Sequence, residues 1–597
     1  MTRIPDDTTT TATLALGETF AGTLESAGDR DWVRVTLTQG ETVELLLFGR
    51  GDGALEDPFL RLYDAGGTLL EFNDDFGAGY DSGLIFTPKA TGIYYIEAAA
   101  YDDGGAGDYT ISFAPGIAPT DPLRAIDWGT AQPDTTVTVA FLARGIRQEG
   151  YTGEGFNAYE IARFKDAFAL IEEVCGLRFN VVSGRNADLR LLLDTNEVAG
   201  EFLGYFNPPG EENAGAAVFD GAQWDRRAGG DLERGGYGFV TIVHELLHGL
   251  GLAHPHDSGN GASEIMPGVS DEFDDYGDHN LNQGIFTIMS YNSGYFTGTP
   301  GSTGDGGFQY GYEAGPMALD ISLLQEKYGT RAHAAGDTVY RLPTQNSDGA
   351  QWRAIWDTSG RDEIRHDGTG SAVINLRAAT LLYEEGGGGF VSAQNGVAGG
   401  FTIAAGVVIE NATGGRGADV ITGNSAANIL TGRAGADRIY AGAGADTVAG
   451  GAGRDQLFGG DLNDTLRGDG KADRIAGGEG GDLLRGGAGR DVFIYTDAAD
   501  SFGNTAARDT ISDFRRGADR IDLSRIDANG EAAGDGAFAF IGQAGFDGRG
   551  AGSAGQLRFQ TGPGSVLVQA DIDGDGLADM SILLANLSQL GAADFIL

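Results

Sequence analysis

The chain has 597 residues and carries 86 Asp and Glu against 40 Lys and Arg, a formal net charge of −46. So much negative charge argues against nucleic acid or an anionic membrane surface as the main partner and favours solubility and bound cations. The length suffices for three or four domains, no apolar run approaches the roughly 18 residues of a membrane span, and the single cysteine, Cys175, excludes an internal disulfide framework.

Residues 1 to 16 hold one basic residue, Arg3, and no apolar core ahead of a small-residue cleavage site, so no general secretory signal peptide is expected there. Residues 12 to about 113 predict an all-β domain. Trp32-Val-Arg-Val-Thr-Leu-Thr38 and Thr42-Val-Glu-Leu-Leu-Leu-Phe48 alternate or run apolar, with Gly-rich and Asp-rich turns between them, the pattern of a β-sandwich. Asp29-Arg-Asp-Trp-Val33, Asp57-Pro-Phe-Leu-Arg-Leu-Tyr-Asp64 and Gly92-Ile-Tyr-Tyr-Ile96 resemble the bacterial pre-peptidase C-terminal domain, which usually follows a peptidase rather than preceding one. Asp74, Asp75 and Asp81 read as a solvated acidic loop in preference to a calcium site. Three prolines in Ala114-Pro-Gly-Ile-Ala-Pro-Thr-Asp-Pro122 mark a semi-rigid linker, which divides a sandwich at 1–116 from a second domain at 117–335.

In the second domain helix and strand patterns alternate, which predicts an α/β sheet backed by helices. Ile161, Phe164, Phe168, Ile171 and Cys175 recur at spacings of three and four, the stripe of a helix ending at Gly176. Cys175 is therefore expected to be a core thiol rather than one that blocks a metal. Strands are expected at Phe179-Asn-Val-Val182 and Leu189-Arg-Leu-Leu-Leu193. The centre of the chain is Thr241-Ile-Val-His-Glu-Leu-Leu-His-Gly-Leu-Gly-Leu-Ala-His254. On a helix, His244 and His248 leave the same face one turn apart and can grip one ion. Gly251 lets the backbone turn so that His254 can swing back as a third nitrogen. Three neutral nitrogens leave a coordination position open, the mark of a catalytic zinc, and Glu245 beside the first ligand can take a proton from a bound water. Without function the segment would be a core helix burying Val240, Val243, Leu247 and Leu250.

The spacing His244-Glu245-x-x-His248-x-x-Gly251-x-x-His254 resembles the metzincin metallopeptidases, and Thr287-Ile-Met-Ser-Tyr291 is similar to the Met-turn of serralysins and astacins. That resemblance implies that Met289 floors the zinc site and that Tyr291 is a further zinc ligand which swings away to help hold the oxyanion. In serralysin-like folds the strand before the zinc helix is the sheet edge that pairs with substrate. The resemblance gives that place to Gly215-Ala-Ala-Val-Phe219, with peptide bound as an added strand. Pro316-Met-Ala-Leu-Asp-Ile-Ser-Leu-Leu-Gln-Glu-Lys-Tyr-Gly329 looks like the last helix of that catalytic domain.

From Gly414 to Ile494 the chain runs as successive nonapeptides of the form Gly-Gly-x-Gly-x-Asp-x-apolar-x. The sixth position carries Asp419, Asn428, Asp437, Asp446, Asp455, Asp464, Asp473, Asp482 and Asp491. The eighth carries Ile421, Leu430, Ile439, Val448, Leu457, Leu466, Ile475, Leu484 and Phe493. Glycine turns expose carbonyls to a cation, the carboxylate neutralises it, and oxygen-only ligation selects calcium. This resembles the RTX parallel β-roll, with weaker turns expected at the departures Asn428, Leu462 and Lys471. Ile403-Ala-Ala-Gly-Val-Val-Ile-Glu-Asn-Ala412 looks like its lead-in, and Asp509-Thr-Ile-Ser-Asp-Phe514 and Asp519-Arg-Ile-Asp-Leu-Ser524 resemble the serralysin C-terminal domain. Asp571-Ile-Asp-Gly-Asp-Gly576 is a further calcium-loop candidate through Asp571, Asp573 and Asp575. The ending Asp594-Phe-Ile-Leu597 looks like the uncleaved signal that serralysins present to a one-step, type I secretion apparatus.

The fold expected is thus multidomain: a β-sandwich, an α/β metzincin domain, and at 336–597 a parallel β-roll with a β-sandwich-like C-terminal part. The function expected is that of a secreted, extracellular, monomeric zinc endopeptidase acting on proteins or peptides, with one catalytic Zn2+ and several structural Ca2+. Its rival is a calcium-dependent extracellular adhesin or binding protein whose peptidase domain is inactive.

Overall fold

A computed structural model describes residues 4–597 apart from 6, 40, 56, 74–81, 87, 89, 102–104, 116–120, 199–201, 258–264, 296–309, 503–506, 529–535 and 548–553. Asp74, Asp75, Asp81 and the middle of the linker lie outside the described residues. The chain forms two compact units that divide between residues 120 and 121.

The first unit holds two four-stranded antiparallel sheets. One orders Glu18–Leu24, Gly107–Pro115, Val43–Gly49 and Ser82–Phe86; the other orders Asp31–Leu37, Gly92–Ala100, Pro58–Tyr63 and Leu69–Asn73. Period-two alternation sends Val33, Val35 and Leu37 from one sheet, and Leu45, Leu47, Ile111 and Phe113 from the other, into a shared core.

The second unit begins with a five-stranded sheet in the order Arg178–Val181, Thr136–Phe141, Leu189–Asp194, Ala216–Asp220, Gly204–Phe206. The first four strands are parallel, and Gly204–Phe206 pairs antiparallel with Ala216–Asp220. This corrects the expected edge: all five residues of Ala216–Asp220 are buried between neighbours, and the edge on that side of the sheet is Gly204–Phe206. Three residues are too few to show a hydrophobic period, so the sequence does not announce the strand.

Helix α1, Ala158–Val174, starts at a capping box in which the Asn157 side chain accepts from the Glu160 N–H and Glu160 accepts from the Asn157 N–H. Phe164, Phe168 and Ile171 are buried along it, and Cys175 just beyond is buried too. Helix α2, Tyr237–Gly249, is buried almost all round rather than along one stripe, through Phe239, Val240, Ile242, Val243, Leu246 and Leu247. Gly251 then adopts φ +89°, where an added Cβ would fall 2.1 Å from the Thr130 carbonyl oxygen. Only glycine fits, and the chain reverses toward His254. Helix α3 spans Ala318–Tyr328.

Beyond α3 the chain coils into two long, largely parallel sheets of twelve and eleven strands. Successive turns alternate between the sheets, so residue i pairs with i+18: Arg438–Ala443 lies on Gln456–Asp461, and Thr447–Ala452 on Thr465–Gly470. All nine eighth-position side chains, Ile421 through Phe493, are at most 1% exposed. The ladder extends past the nonapeptides. Asp482 and Asp491 donate their N–H groups to Asp509 and Asp519, with Ile511 and Ile521 filling the interior. Those steps span 27 and 28 residues instead of 18, which hides the phase from a nonapeptide reading. Upstream, Thr338 donates to Asp362 and Asp362 to Glu410 in the same manner. Leu462 and Lys471 adopt φ +73° and +75°, a conformation that costs a non-glycine residue about 1–2 kcal/mol, so these departures strain their turns. The tail strand Phe595–Ile596 pairs with Ile521–Asp522, and the Asp594 carboxylate accepts from Gly517 and Gly591. Among the described residues no helix is long and apolar enough to cross a membrane.

Candidate metal centre

Helix α2 and the turn at Gly251 bring three imidazoles to one point. The Nε2 atoms of His244 and His248 are 3.2 Å apart, those of His244 and His254 3.1 Å, and those of His248 and His254 2.9 Å. Nδ1 of His244 lies 2.8 Å from the Ile288 carbonyl and Nδ1 of His248 2.9 Å from that of Leu252. A carbonyl only accepts, so both rings carry their proton on Nδ1 and present a bare Nε2 lone pair inward. His254 Nδ1 lies 2.6 Å from Asp257 Oδ2, which orients the third ring in the same way. Burial, and then the neighbouring His254, hold His244 down to about 3, and the same causes hold His248 well below its usual range. His244 and His248 are therefore neutral, as ligands must be. Three lone pairs cannot hydrogen-bond one another. A tetrahedral zinc with bonds of about 2.0–2.1 Å would set its nitrogens about 3.3 Å apart, and the triangle fits one.

Glu245 sits beside this point, only 6% exposed, and its Oε2 has no hydrogen-bond partner among the described residues. Burial pushes its carboxyl up to about 8. An unpartnered buried carboxyl is costly and poised to exchange a proton near neutrality. The edge strand reaches it directly: a Cβ on Gly204 would lie 2.9 Å from Glu245 Cγ and 3.2 Å from Oε1. Gly204→Ala is thus expected to displace the carboxyl by a fraction of an ångström and to lower peptide turnover about tenfold with little change in Tm. Steady-state kinetics beside a thermal melt checks this, and unchanged turnover refutes it.

Met289 is fully buried. Tyr291 is 37% exposed, with its ring 4.7 Å from His254 and 5.8 Å from His244. Burial and then the Glu245 charge raise its hydroxyl, so it stays a donor. The Met-turn is hung from α3. Asp320 accepts from Thr287 Oγ1 at 2.6 Å, from the Ile288 N–H at 2.8 Å and from the Met317 N–H at 2.8 Å. Ile288 in turn holds His244, so Asp320 supports the ligand ring at one remove. Asp320→Ala leaves these buried donors unpaired and is expected to cost about 2–4 kcal/mol of stability, measured as a lower Tm, with weaker zinc retention. A melt and zinc content matching the parent chain would contradict it.

Four participants were not read from the sequence. His256 stacks on His254 at 4.8 Å and 10°, Asp257 orients His254, Asp320 anchors the Met-turn, and Gly204 makes room for the carboxyl. His256 and Asp257 could have been flagged as extra metal-type residues two and three places past the last ligand. Asp320 and Gly204 leave no local signal.

In the roll, Asp437, Asp446, Asp455, Asp464, Asp473 and Asp482 are each at most 2% exposed. Each accepts a backbone N–H through Oδ1 and leaves Oδ2 buried with no partner among the described residues. The turn glycines leave room opposite: a Cβ on Gly432 would lie 2.5 Å from Asp437 Oδ2 and 2.7 Å from the Gly450 carbonyl. A bare carboxylate oxygen and a carbonyl oxygen facing one gap fit a calcium ion. Asp419 and Asp491 differ. The first accepts from Ala372 and Gly415, and the second faces Arg515. Asn428 has both side-chain atoms engaged, by Glu410 and Asn424. In the C-terminal loop the carboxylates brought together are Asp571, Asp573 and Asp579; Asp575 lies outside the group. Asp579, a further acid four residues past Asp575, was the available signal.

Fold and centre together define a chain in which a three-histidine metal site with one buried carboxyl is joined to a long parallel roll. Residues 328–597 match the family described as Peptidase M10 serralysin C terminal. The chain is similar to serralysin of Photorhabdus luminescens, 34% identical over 32% of this chain and 37% of that protein. It is also similar to serralysin B of Dickeya chrysanthemi, 32% identical over 50% of this chain and 63% of that protein. It thus spans between 37% and 63% of the length of these two curated relatives. The crystal structure of the pre-peptidase C-terminal domain of collagenase from Bacillus anthracis is 20% identical over 17% of this chain and 92% of that one, with a TM-score of 0.14. A likeness that slight carries no argument.

Proposed function

We propose that this protein is a secreted zinc endopeptidase that cleaves extended protein segments, with a calcium-loaded roll behind its catalytic part. The observation that carries this reading is the convergence of three bare Nε2 lone pairs beside the buried, unpartnered Glu245. Bound by His244, His248 and His254, zinc would polarise a water and a substrate carbonyl. Glu245 accepts the proton and returns it to the leaving amine nitrogen, and the protonated Tyr291 hydroxyl donates to the oxyanion. Leu203 and Asn207 aim backbone groups at Ala216–Asp220, so Gly204 and Phe206 aim theirs along the open edge. Peptide added there as a strand would run past Glu245, with affinity from main-chain hydrogen bonds. The similarity to serralysins supports a metallopeptidase of that type, and with it export by a type I apparatus that reads the C-terminal residues.

Casein hydrolysis tests the proposal. It is expected to stop when 1,10-phenanthroline removes the metal and to return on adding zinc. A chain that binds zinc stoichiometrically yet cleaves no protein would leave an extracellular binding protein as the better reading.

A further inference from the structure

Residues 414–494 hold nine Lys and Arg against eleven Asp and Glu, yet the fold separates the two signs. Eight of the acids are the sixth-position aspartates, each at most 2% exposed. The cations stay outside and share one edge. Strands that follow the turns starting at 414, 432, 450, 468 and 486 all enter the eleven-stranded sheet, and strands that follow the turns starting at 423, 441, 459 and 477 all enter the twelve-stranded one. The first five turns therefore stack along one edge of the roll and the other four along the opposite edge. All nine cations lie in the first five turns or directly beside them, and none lies in or beside the other four. Arg416, Arg438, Arg454, Lys471 and Arg490 are exposed, and among the described residues they form no ion pair. Arg433, Arg467, Arg474 and Arg485 each face one acid, at 3.0 to 3.9 Å. Such surface pairs hold weakly and exchange readily for an anion from outside. Of the three acids left over, Asp461 and Glu479 are exposed and belong to the opposite turns.

We propose that this edge of the roll is a binding surface for a linear acidic polysaccharide. Neighbouring turns on the edge are one strand apart, about 4.8 Å, so the coil sets its cations in a straight, repeating row. A polymer whose charges also recur at a fixed interval matches such a row along its length. The turns themselves are built largely of Gly and Ala, which lets a chain lie close. The net charge of −46 does not cancel this row. Exposed charges are screened beyond a Debye length of about 8 Å at physiological ionic strength, so a thin polymer on the ridge feels mainly the cations beneath it. A duplex or a membrane surface would reach past them to the acidic remainder. Single-stranded nucleic acid binds by stacking its bases on aromatic side chains, and the five basic turns with their flanking residues contain none. The aromatic pair of the roll, Tyr440 and Phe458, stacks at 4.9 Å beside the opposite turns.

The test is titration calorimetry of the full, calcium-loaded chain with a short heparin fragment, beside neutral dextran and single-stranded DNA of matched length. Heparin is expected to bind, dextran not to, and DNA to bind at least tenfold more weakly. With four or five cations engaged, heparin affinity should fall about a hundredfold between about 50 and 200 mM salt, through loss of counterion release. The triple variant Arg416→Gln, Arg454→Gln, Arg490→Gln should bind heparin at least tenfold more weakly, with unchanged melting and casein hydrolysis, because these side chains are exposed and unpaired among the described residues. Asp461→Asn with Glu479→Gln, on the opposite edge, should leave affinity within about twofold, since these exposed acids lie outside the basic row. If the triple variant does not fold, Arg454→Gln alone replaces it, and a severalfold loss is expected. Absence of heparin binding, undiminished affinity in the arginine variants, or an equal loss in the opposite-edge variant would overturn the surface. DNA binding as tight as that of heparin would overturn the assignment to a polysaccharide.

Discussion

Removing calcium at pH 8 is expected to unfold most of the roll, and adding millimolar calcium to restore it. Residues 414–494 have about one Leu, Ile, Val or Phe in five, near the limit below which buried apolar surface fails to offset ordering entropy. Six carboxylate oxygens held without partners add a further cost. Each calcium bound only by the folded turns contributes about 2.7 kcal/mol at a hundredfold excess over its Kd. The dependence on pH has a definite sign. Burial pushes Asp437, Asp473 and Asp482 up to about 7 and Asp464 up to about 8 in the calcium-free fold, whereas the same groups in the unfolded chain titrate near 3.9. The folded form binds protons more tightly. That stability is fully present below the unfolded value and is lost as pH rises through 7 to 8. In chelator the roll is thus expected to be more folded at pH 5 than at pH 8, and its apparent calcium affinity to fall as pH is lowered, because protons compete for the same oxygens. Far-UV circular dichroism of the full chain across a calcium titration at both pH values is the measurement. An equally ordered roll in chelator at pH 8 would refute the calcium requirement.

Replacing Glu245 by Ala should lower kcat/KM by roughly a hundredfold to ten-thousandfold, the usual range for a lost proton-transfer group, while zinc content stays at one per chain. Metal retention is expected because the three imidazoles are oriented by Ile288, Leu252 and Asp257, and Glu245 takes no part in holding them. Melting should not suffer, since the change removes a buried carboxyl that has an unpartnered oxygen. Tyr291→Phe should be milder, because zinc still polarises the carbonyl. Kinetics with parallel metal analysis separates the possibilities: near-native turnover in Glu245→Ala would dismiss the residue as the base, and loss of metal would make it a structural one.

The parts of this protein legible in its sequence are those fixed by a short period. A helix repeats every 3.6 residues, so His244 and His248 had to share a face, and a nine-residue coil puts every eighth position inside, as the burial of Ile421 through Phe493 shows. Single residues at turns were legible for the same reason, since Gly251 answers to backbone geometry that only glycine meets. Whatever depends on contacts between distant segments was not. The edge on that side of the sheet passed to Gly204–Phe206 because pairing order is settled by packing across the sheet. The ladder steps to Asp509 and Asp519 were masked by loops that break the repeat while the hydrogen bonds continue. Asp320 reaches the Met-turn across 32 residues. Local sequence sets which side chains leave one element together; which elements meet, and so which carboxyl is held without a partner, is decided by long-range burial that no spacing encodes.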